Sequence, residues 1–158
     1  MRMQSTLKLV LLVIVGFTAS HCSRVLPPQC ANGKLFTGFG FSIMLPCDIV
    51  VKASTPAADF DVYTFYSGNK PLFHAYAGSF PRFPSRAPVT IQVEHYDLHG
   101  LKARSLSWGR DQTSSREILV ELHASHPAFY LHVWYNDLSS AEASRVSSIM
   151  ASIRERPY

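Results

Sequence analysis

The fold is decided by residues 60–77, FDVYTFYSGNKPLFHAYA, in which two aromatic-rich runs flank a polar centre. Aromatic and β-branched residues favour strands, because their side chains pack well on a pleated surface. The centre, residues 67–70, has the serine, glycine and asparagine that are typical of loops. The stretch therefore predicts an antiparallel hairpin with a four-residue loop.

More strands are predicted on the C-terminal side of this hairpin. Apolar and polar residues alternate, as in strands with one buried face, over residues 89–94, 117–123 and 129–135. A turn at His99-Gly100 leads into a further run at 101–108, and Ser125-His126-Pro127 makes the last two strands antiparallel neighbours. We therefore expect an antiparallel meander.

Two stretches interrupt this pattern. Residues 80–88, FPRFPSRAP, carry three prolines, and proline cannot continue a strand ladder. We expect an exposed, semi-rigid loop there. Residues 109–114 are polar and predict another loop.

The chain ends in a predicted helix. Ser139-Ser140-Ala141-Glu142 has the form of a capping box, in which the Ser139 side chain accepts a backbone N–H and Glu142 reaches back to the Ser139 amide. Arg154 and Arg156 suit the negative end of this helix. One apolar stripe follows at helical spacing and must pack on the sheet; it consists of Val146, Ile149, Met150 and Ile153.

The order of these elements resembles that of PsbP/Mog1-like domains. Residues 40–46, GFSIMLP, resemble the opening strand of that fold, and the final amphipathic helix, with Ser152-Ile153, is similar to its closing element. The resemblance spans about residues 34–155. It implies an α+β fold, an antiparallel β-meander sheet packed by a C-terminal amphipathic helix, that serves mainly in binding or assembly. It carries no catalytic residue set.

The first 22 residues have the features of an export signal. Arg2 and Lys8 form a basic head, residues 9–15 are apolar, and small residues follow at 18–20. The apolar run is shorter than the roughly 20 residues that span a membrane. We therefore expect a periplasmic or secreted protein without a membrane span.

Three segments follow from this assignment: a signal peptide at 1–22, an N-terminal extension at 23–33 and a single α+β domain at 34–158. Cleavage after Ser20 is preferred, with cleavage after Cys22 close behind. A lipid anchor on Cys22 is disfavoured, because His21 stands where such sites have a small residue.

The charge of the exported part argues against nucleic-acid binding. Removing 1–22 takes away two of the 15 basic residues and none of the 11 acidic ones, which leaves a net charge of about +2. The remaining cations are scattered singly along the chain, whereas a nucleic-acid site needs a concentrated basic face.

Cys30 and Cys47 are predicted to form a disulfide, since thiols pair by default in an oxidising compartment. A two-residue type II′ turn at Gly38-Phe39 would place them opposite each other on adjacent strands. Two buried thiols are the alternative.

No catalytic constellation or metal site stands out in the sequence. His95 and His99 lie about 13 Å apart on a strand, too far for one metal. His123, His126 and His132 surround a turn, where ordinary polar-face histidines are the simpler interpretation. Asp59 and Asp61 fit a solvated strand end. We therefore predict no enzymatic activity, no metal and no cofactor.

Aromatic residues occur on both faces of the predicted sheet, and one helix cannot cover both. Either a second layer covers the outer face, or this face forms a recognition surface made of Arg82, Phe83, Tyr130, His132 and Trp134. We predict a non-catalytic protein-binding module, for example an inhibitor, an immunity protein or an accessory factor of an envelope or secretion complex. A small-ligand carrier with a pocket between sheet and helix and an unrecognised hydrolase are the alternatives.

Overall fold

A computed structural model of the chain describes residues 33–57, 59–84, 92–110, 113–122 and 129–156. Within these ranges the chain forms ten strands and one helix, in an α+β arrangement as predicted. The elements are β1 Lys34–Gly38, β2 Phe41–Leu45, β3 Ile49–Ala57, β4 Phe60–Ser67, β5 Lys70–Gly78, β6 Gln92–Leu98, β7 Leu101–Arg110, β8 Thr113–Leu122, β9 Phe129–Ser139, α1 Ser140–Met150 and β10 Arg154–Glu155.

Seven strands form one antiparallel sheet in the order β3-β4-β5-β9-β8-β7-β6. Two meanders, β3–β5 and β6–β9, are joined where β5 pairs with β9. The simple meander expected from the sequence is therefore corrected at one point, because β6 lies at the far edge of the sheet and not beside β5. The proline-rich stretch lies in this connection, since a segment that cannot enter a ladder has to leave the sheet.

A second, three-stranded sheet has the order β1-β2-β10. β3 and β10 were not predicted from the sequence. Arg154, expected at the helix end, lies in β10 and pairs with Ser42, while its Nη1 donates to the carbonyl of Ile153 at 2.8 Å. The expectation for Arg154 is thus partly met, because its side chain also reaches the Ala151 carbonyl at the helix C-cap at 3.4 Å. Arg156 does not meet it, since its Nη1 donates to the Thr37 Oγ1 at 3.1 Å.

The first hairpin turns one residue later than predicted. Gly38 pairs with Phe41, so Phe39 and Gly40 form the turn, and Gly40 has a φ of +75°. A positive φ at the second central position is typical of a type II turn, whereas the predicted type II′ turn needs it at the first. Continuing this register would place position 32, not Cys30, opposite Cys47.

The observed strand register therefore does not support the predicted Cys30–Cys47 disulfide. Cys30 lies outside the described residues, as do the signal peptide and Cys22, and Cys47 is half-buried in the turn before β3. The disulfide stays a prediction.

Two other loops are shorter than expected. Ser67 pairs with Lys70, so the β4–β5 turn has two residues, Gly68 and Asn69. The β7–β8 ladder extends to the pair Arg110 and Thr113, which replaces most of the predicted 109–114 loop with strand.

The turn between β6 and β7 is confirmed at His99-Gly100. Leu98 pairs with Leu101, and the two turn residues have φ angles of +56° and +87°, the type I′ geometry of tight hairpins. β8 and β9 are antiparallel neighbours, as predicted. Residues 125–127, predicted as their turn, lie outside the described residues.

The C-terminal helix begins as its sequence predicts. Ser139 is the N-cap, its side chain accepts the Glu142 amide, and the Glu142 side chain accepts the Ser139 amide, completing the capping box. All four residues of the predicted apolar stripe are at most 4% exposed, although Ile153 lies beyond the end of the helix.

The helix and the small sheet cover one face of the large sheet, here called the inner face. An aromatic cluster fills this side: Phe36 contacts the rings of Tyr63 and Phe65 edge-on at 5.3 and 5.6 Å. Phe65 stacks on Phe73 at 4.1 Å. Burying each such ring contributes roughly 1.5–3 kcal/mol, so the inner-face aromatics are accounted for by the core.

Candidate binding cleft on the outer face of the sheet

The opposite face of the large sheet, here called the outer face, carries the residues that the sequence singled out. On β9, Leu131 and Val133 are 0% and 1% exposed in the core, while Tyr130 and Trp134 are half-buried on the other side. This is the alternation expected of a strand between two environments.

The first residues of the β5–β6 connection, Ser79–Pro84, run across the outer face. The Phe83 ring meets the His132 ring edge-on at 5.5 Å, and the Arg104 guanidinium lies 4.7 Å from the Phe83 ring centre. Since His132 is on β9 and Arg104 on β7, the segment crosses from the centre of the sheet towards its far edge. It covers His132, which is only 3% exposed.

A cleft of about 560 Å³ opens beside this crossing segment. Its position on the outer face differs from that in the carrier hypothesis, since the space between α1 and the sheet is filled by core side chains such as Val146. The cleft is lined by Asp59, Phe60, Tyr76, Phe80, Arg82, His132, Trp134 and Asn136.

One wall of the cleft is a stacked pair of rings, Phe60 and Tyr76, with centres 5.2 Å apart. The Tyr76 ring and the Phe60 Cβ use the space above Gly78, where a Cβ atom would lie 2.5 Å from the Tyr76 Oη and 2.6 Å from the Phe60 Cβ. The Phe80 amide donates to the Tyr76 Oη at 3.2 Å. The same tyrosine therefore forms the wall and holds the start of the crossing segment.

The other wall is Trp134, which neighbouring rings hold on two sides. Its ring stacks on His74 at 5.3 Å and an 18° angle, and it lies 5.1 Å from His132. His74 is itself held by Thr64, whose Oγ1 lies 3.1 Å from the His74 Nδ1. Burial lowers the pKa of His74 below its usual 6.5, which favours the neutral ring in this stack.

Beneath the cleft lies a buried pair, Glu117 and His132. The His132 Nε2 and Glu117 Oε2 are 3.2 Å apart, and the side chains are 4% and 2% exposed. Burial lowers the pKa of His132, while the Glu117 charge and hydrogen bond oppose this by favouring the imidazolium. With the carboxylate ionised, the oxygen accepts, so Nε2 carries the proton of the neutral ring.

Four of the five predicted surface residues come together. Arg82, His132 and Trp134 line the cleft, and Phe83 packs on His132. Tyr130 lies apart from them, in a separate depression of about 370 Å³. The alternative of a covering layer is met in part, because the crossing segment lies over some of the outer face and leaves a cleft beside it. That the uncovered part is a recognition surface stays a prediction.

Phe60, Tyr76, Phe80 and Asn136 were missed as site residues, as was Glu117 beneath them. All except Phe80, which follows the end of β5, have the alternation of outer-face residues in their strands, which was a usable signal. What the sequence did not supply was the pairing of β5 with β9, which brings Tyr76 opposite His132.

Two of the other titratable residues considered in the sequence, Asp61 and His99, have structural contacts. Asp61 accepts hydrogen bonds from Thr55 at 2.6 Å and from the Tyr63 hydroxyl at 2.7 Å. His99 bonds through Nε2 to the Ala151 carbonyl at 2.7 Å. Among the described residues, no three His, Cys, Asp or Glu side chains cluster as metal ligands would, and His123 and His126 lie outside them.

Comparisons with known proteins add little. No family model and no curated protein matches the chain. Among solved structures it is similar to a crystal structure from Bacteroides thetaiotaomicron VPI-5482, with 15% identity and a TM-score of 0.45. The match covers 79% of this chain and 49% of the other, so this chain spans about half the length of that protein.

Within the described residues, no helix is both long and apolar enough to cross a membrane.

Proposed function

We propose that this protein is an exported, non-catalytic module that binds a protein partner through the outer-face cleft. The observation that carries the proposal is an aromatic-walled cleft with Phe80, 79% exposed, at its edge. Burying such an exposed phenylalanine against a partner removes apolar surface from water, which stabilises the complex. Tyrosine, tryptophan and arginine, all present here, dominate the binding energy of protein interfaces.

The polar groups support the same assignment. Asp59, Arg82 and Asn136 are exposed and line the cleft together with the rings. An apolar centre with a polar rim of mixed charge is typical of protein interfaces.

The chemistry of the lining favours binding over turnover. Of the described residues that line the cleft, none is a serine, threonine, cysteine or lysine that could act as the usual nucleophile. His132 is engaged by Glu117 and covered by Phe83, which suits a residue that supports the cleft floor.

The partner belongs to the space outside the cytoplasm, if the export signal acts as its sequence predicts. An inhibitor or immunity protein would bind a toxic enzyme there, and an accessory factor would bind a component of an envelope or secretion complex. The PsbP/Mog1-like resemblance is compatible with either, because such domains serve mainly in binding.

The test is affinity capture followed by a binding measurement. The purified mature protein is used to capture partners from the source organism's periplasm or medium, and any stoichiometric protein is identified by mass spectrometry and purified. We expect Trp134→Ala to weaken its affinity at least tenfold in calorimetry. Val93→Ala, on an exposed valine of β6 away from the cleft, should retain full affinity.

Equal affinity of folded Trp134→Ala and wild type would contradict the proposal. A small molecule that co-purifies in place of a protein, detected by native mass spectrometry, would support the carrier alternative.

A further inference from the structure

On the basis of the proposed function, we infer that the part of the partner that enters the cleft is a proline-rich extended segment. Three features of the described residues support this choice: the chain's own crossing segment, the paired rings of the walls, and the excess of hydrogen-bond donors at the rim.

The crossing segment shows how the outer face holds a proline-containing chain without ladder hydrogen bonds. Residues 79–84 include Pro81 and Pro84 and belong to no strand ladder. They are held by ring contacts from Phe83 to His132 and Arg104 and by the bond from the Phe80 amide to Tyr76. A partner segment lying beside this one would likewise be held by ring contacts and single hydrogen bonds and would need no ladder.

The walls suit proline rings. Phe60 and Tyr76 form a stacked pair in the lining, and Trp134, which stacks on His74 behind it, supplies a further ring, so rigid rings line the cleft. Proline-rich peptides bind in aromatic-lined grooves because their polyproline II conformation exists before binding, which reduces the entropy lost. Such a peptide needs no sheet edge, and the cleft is in the middle of the sheet.

The rim offers mainly donors, which matches the backbone of such a peptide. Proline has no N–H, and polyproline II carbonyls have no internal partners. Arg82 and Asn136 carry N–H donors, and the Tyr76 hydroxyl, which accepts from the Phe80 amide, has its own proton to donate. Asp59 is the one carboxylate in the lining, and with Arg82 it leaves the lining without net charge.

The experiment titrates the mature protein with a ten-residue proline peptide and with a ten-residue Gly-Ser peptide as the length control. Trp108→Phe serves as the background, so that Trp134, the other of the chain's two tryptophans, is the only fluorescent reporter. We expect saturable binding of the proline peptide in the range of about 10 μM to 1 mM, and none of the control.

Variants locate the site. Tyr76→Ala and Arg82→Gln should each weaken binding at least fivefold, whereas Tyr130→Ala should not, because Tyr130 shares strand β9 and the outer face but lies in the other depression. Arg82 is exposed, so Arg82→Gln should still fold. This variant therefore tests the site even if Tyr76→Ala fails to fold.

Equal responses to the two peptides, or full affinity in Arg82→Gln, would overturn the inference. A captured partner that is lost in Trp134→Ala but is not displaced by the proline peptide would also overturn it, while the proposed function would stand. Binding of a neutral oligosaccharide at these residues with no response to peptide would contradict both.

Discussion

Gly78 has no side chain, and the Tyr76 ring and the Phe60 Cβ occupy the space where one would lie. Phe60 and Tyr76 stack there and form a wall of the cleft. The shape of the cleft thus depends on a residue without a side chain. Gly78 is needed here for the space that it leaves free, and not for an unusual backbone conformation.

Gly78→Ala tests this dependence. Its Cβ would lie 2.5 Å from the Tyr76 Oη, so the ring must move and the stack with Phe60 must open. Overpacking of this kind costs about 1–3 kcal/mol, which a urea titration would detect as a lower midpoint. Partner affinity should fall as well. Unchanged stability together with unchanged affinity would show that the wall does not need this space.

His132 and His74 make stability sensitive to mild acid. Burial lowers the pKa of both in the folded protein, so below the unfolded value of about 6.5 the unfolded chain binds more protons. Their contribution is complete above that pH and is lost as pH falls towards the folded pKa values.

We therefore expect the free energy of unfolding to decrease between pH 7.5 and 5.5, measured by urea denaturation. His74→Gln should reduce the decrease, because it removes one of the two groups. His95→Gln, at an exposed position on β6, is the matched control. If stability were flat over this interval in wild type, the two rings would not be buried as described.

At the scale of elements, the helix α1 is tied at both ends to turns of the sheets. The Lys70 Nζ at the β4–β5 turn bonds Glu142 at 2.6 Å, and Arg145 bonds Asp48 in the turn before β3. His99 reaches the Ala151 carbonyl at the other end. These contacts fix the helix across the inner face, on the side away from the cleft.

Ser139→Ala removes the side-chain half of the capping box. The Glu142 amide loses its acceptor, and stability should fall by about 1 kcal/mol in urea unfolding. Ser140→Ala, one residue later and exposed, should be near neutral. Equal effects of the two substitutions would mean that water replaces the cap without loss.

The hydrogen bonds of Glu142 make the free energy of unfolding depend on pH below 4.5 as well. Hydrogen bonds from Lys70 and Ser139 lower the pKa of Glu142 from 4.5 to about 2. Its stabilising contribution is present above pH 4.5 and is lost as pH falls towards 2. Glu142→Gln should flatten the stability curve in that interval and leave the decrease above pH 5.5 unchanged.

Local patterns predicted the elements well. The capping box, the β6–β7 turn and the alternating strands β8 and β9 depend on neighbours in sequence, and each was found where expected. The missed strand β3 contains Pro56, and β10 is only two residues long, so neither has a strong local signal.

At the scale of the molecule, the sequence could not show which strands meet. The cleft needs β5 beside β9, a pairing between segments about fifty residues apart, and no local periodicity encodes it. His132 and Trp134 were nevertheless proposed together, because their alternation along the strand pointed to one face, and Arg82 was added to them from the proline-rich stretch. Tyr130 lies on the same face of the sheet but at a different place along β9. Alternation along a strand predicts the face and not this place.

Both meanders share one core, so the described domain should unfold as a unit. Ile153, which follows the helix and is 0% exposed, belongs to the cluster of buried residues that both meanders share. Ile153→Ala should cost about 2–5 kcal/mol. Circular dichroism and tryptophan fluorescence should still give coincident transitions; separate midpoints would show that the meanders unfold independently.

The strands at the two ends of the large sheet, β3 and β6, have a consequence for behaviour at high concentration. Sheet edges recruit further strands and promote aggregation unless charge or proline blocks them. β3 carries Lys52 and Pro56, and β6 carries exposed Glu94 and Asp97. These residues should keep copies of the chain from joining edge to edge, which would leave the middle of the sheet as the place where other molecules attach.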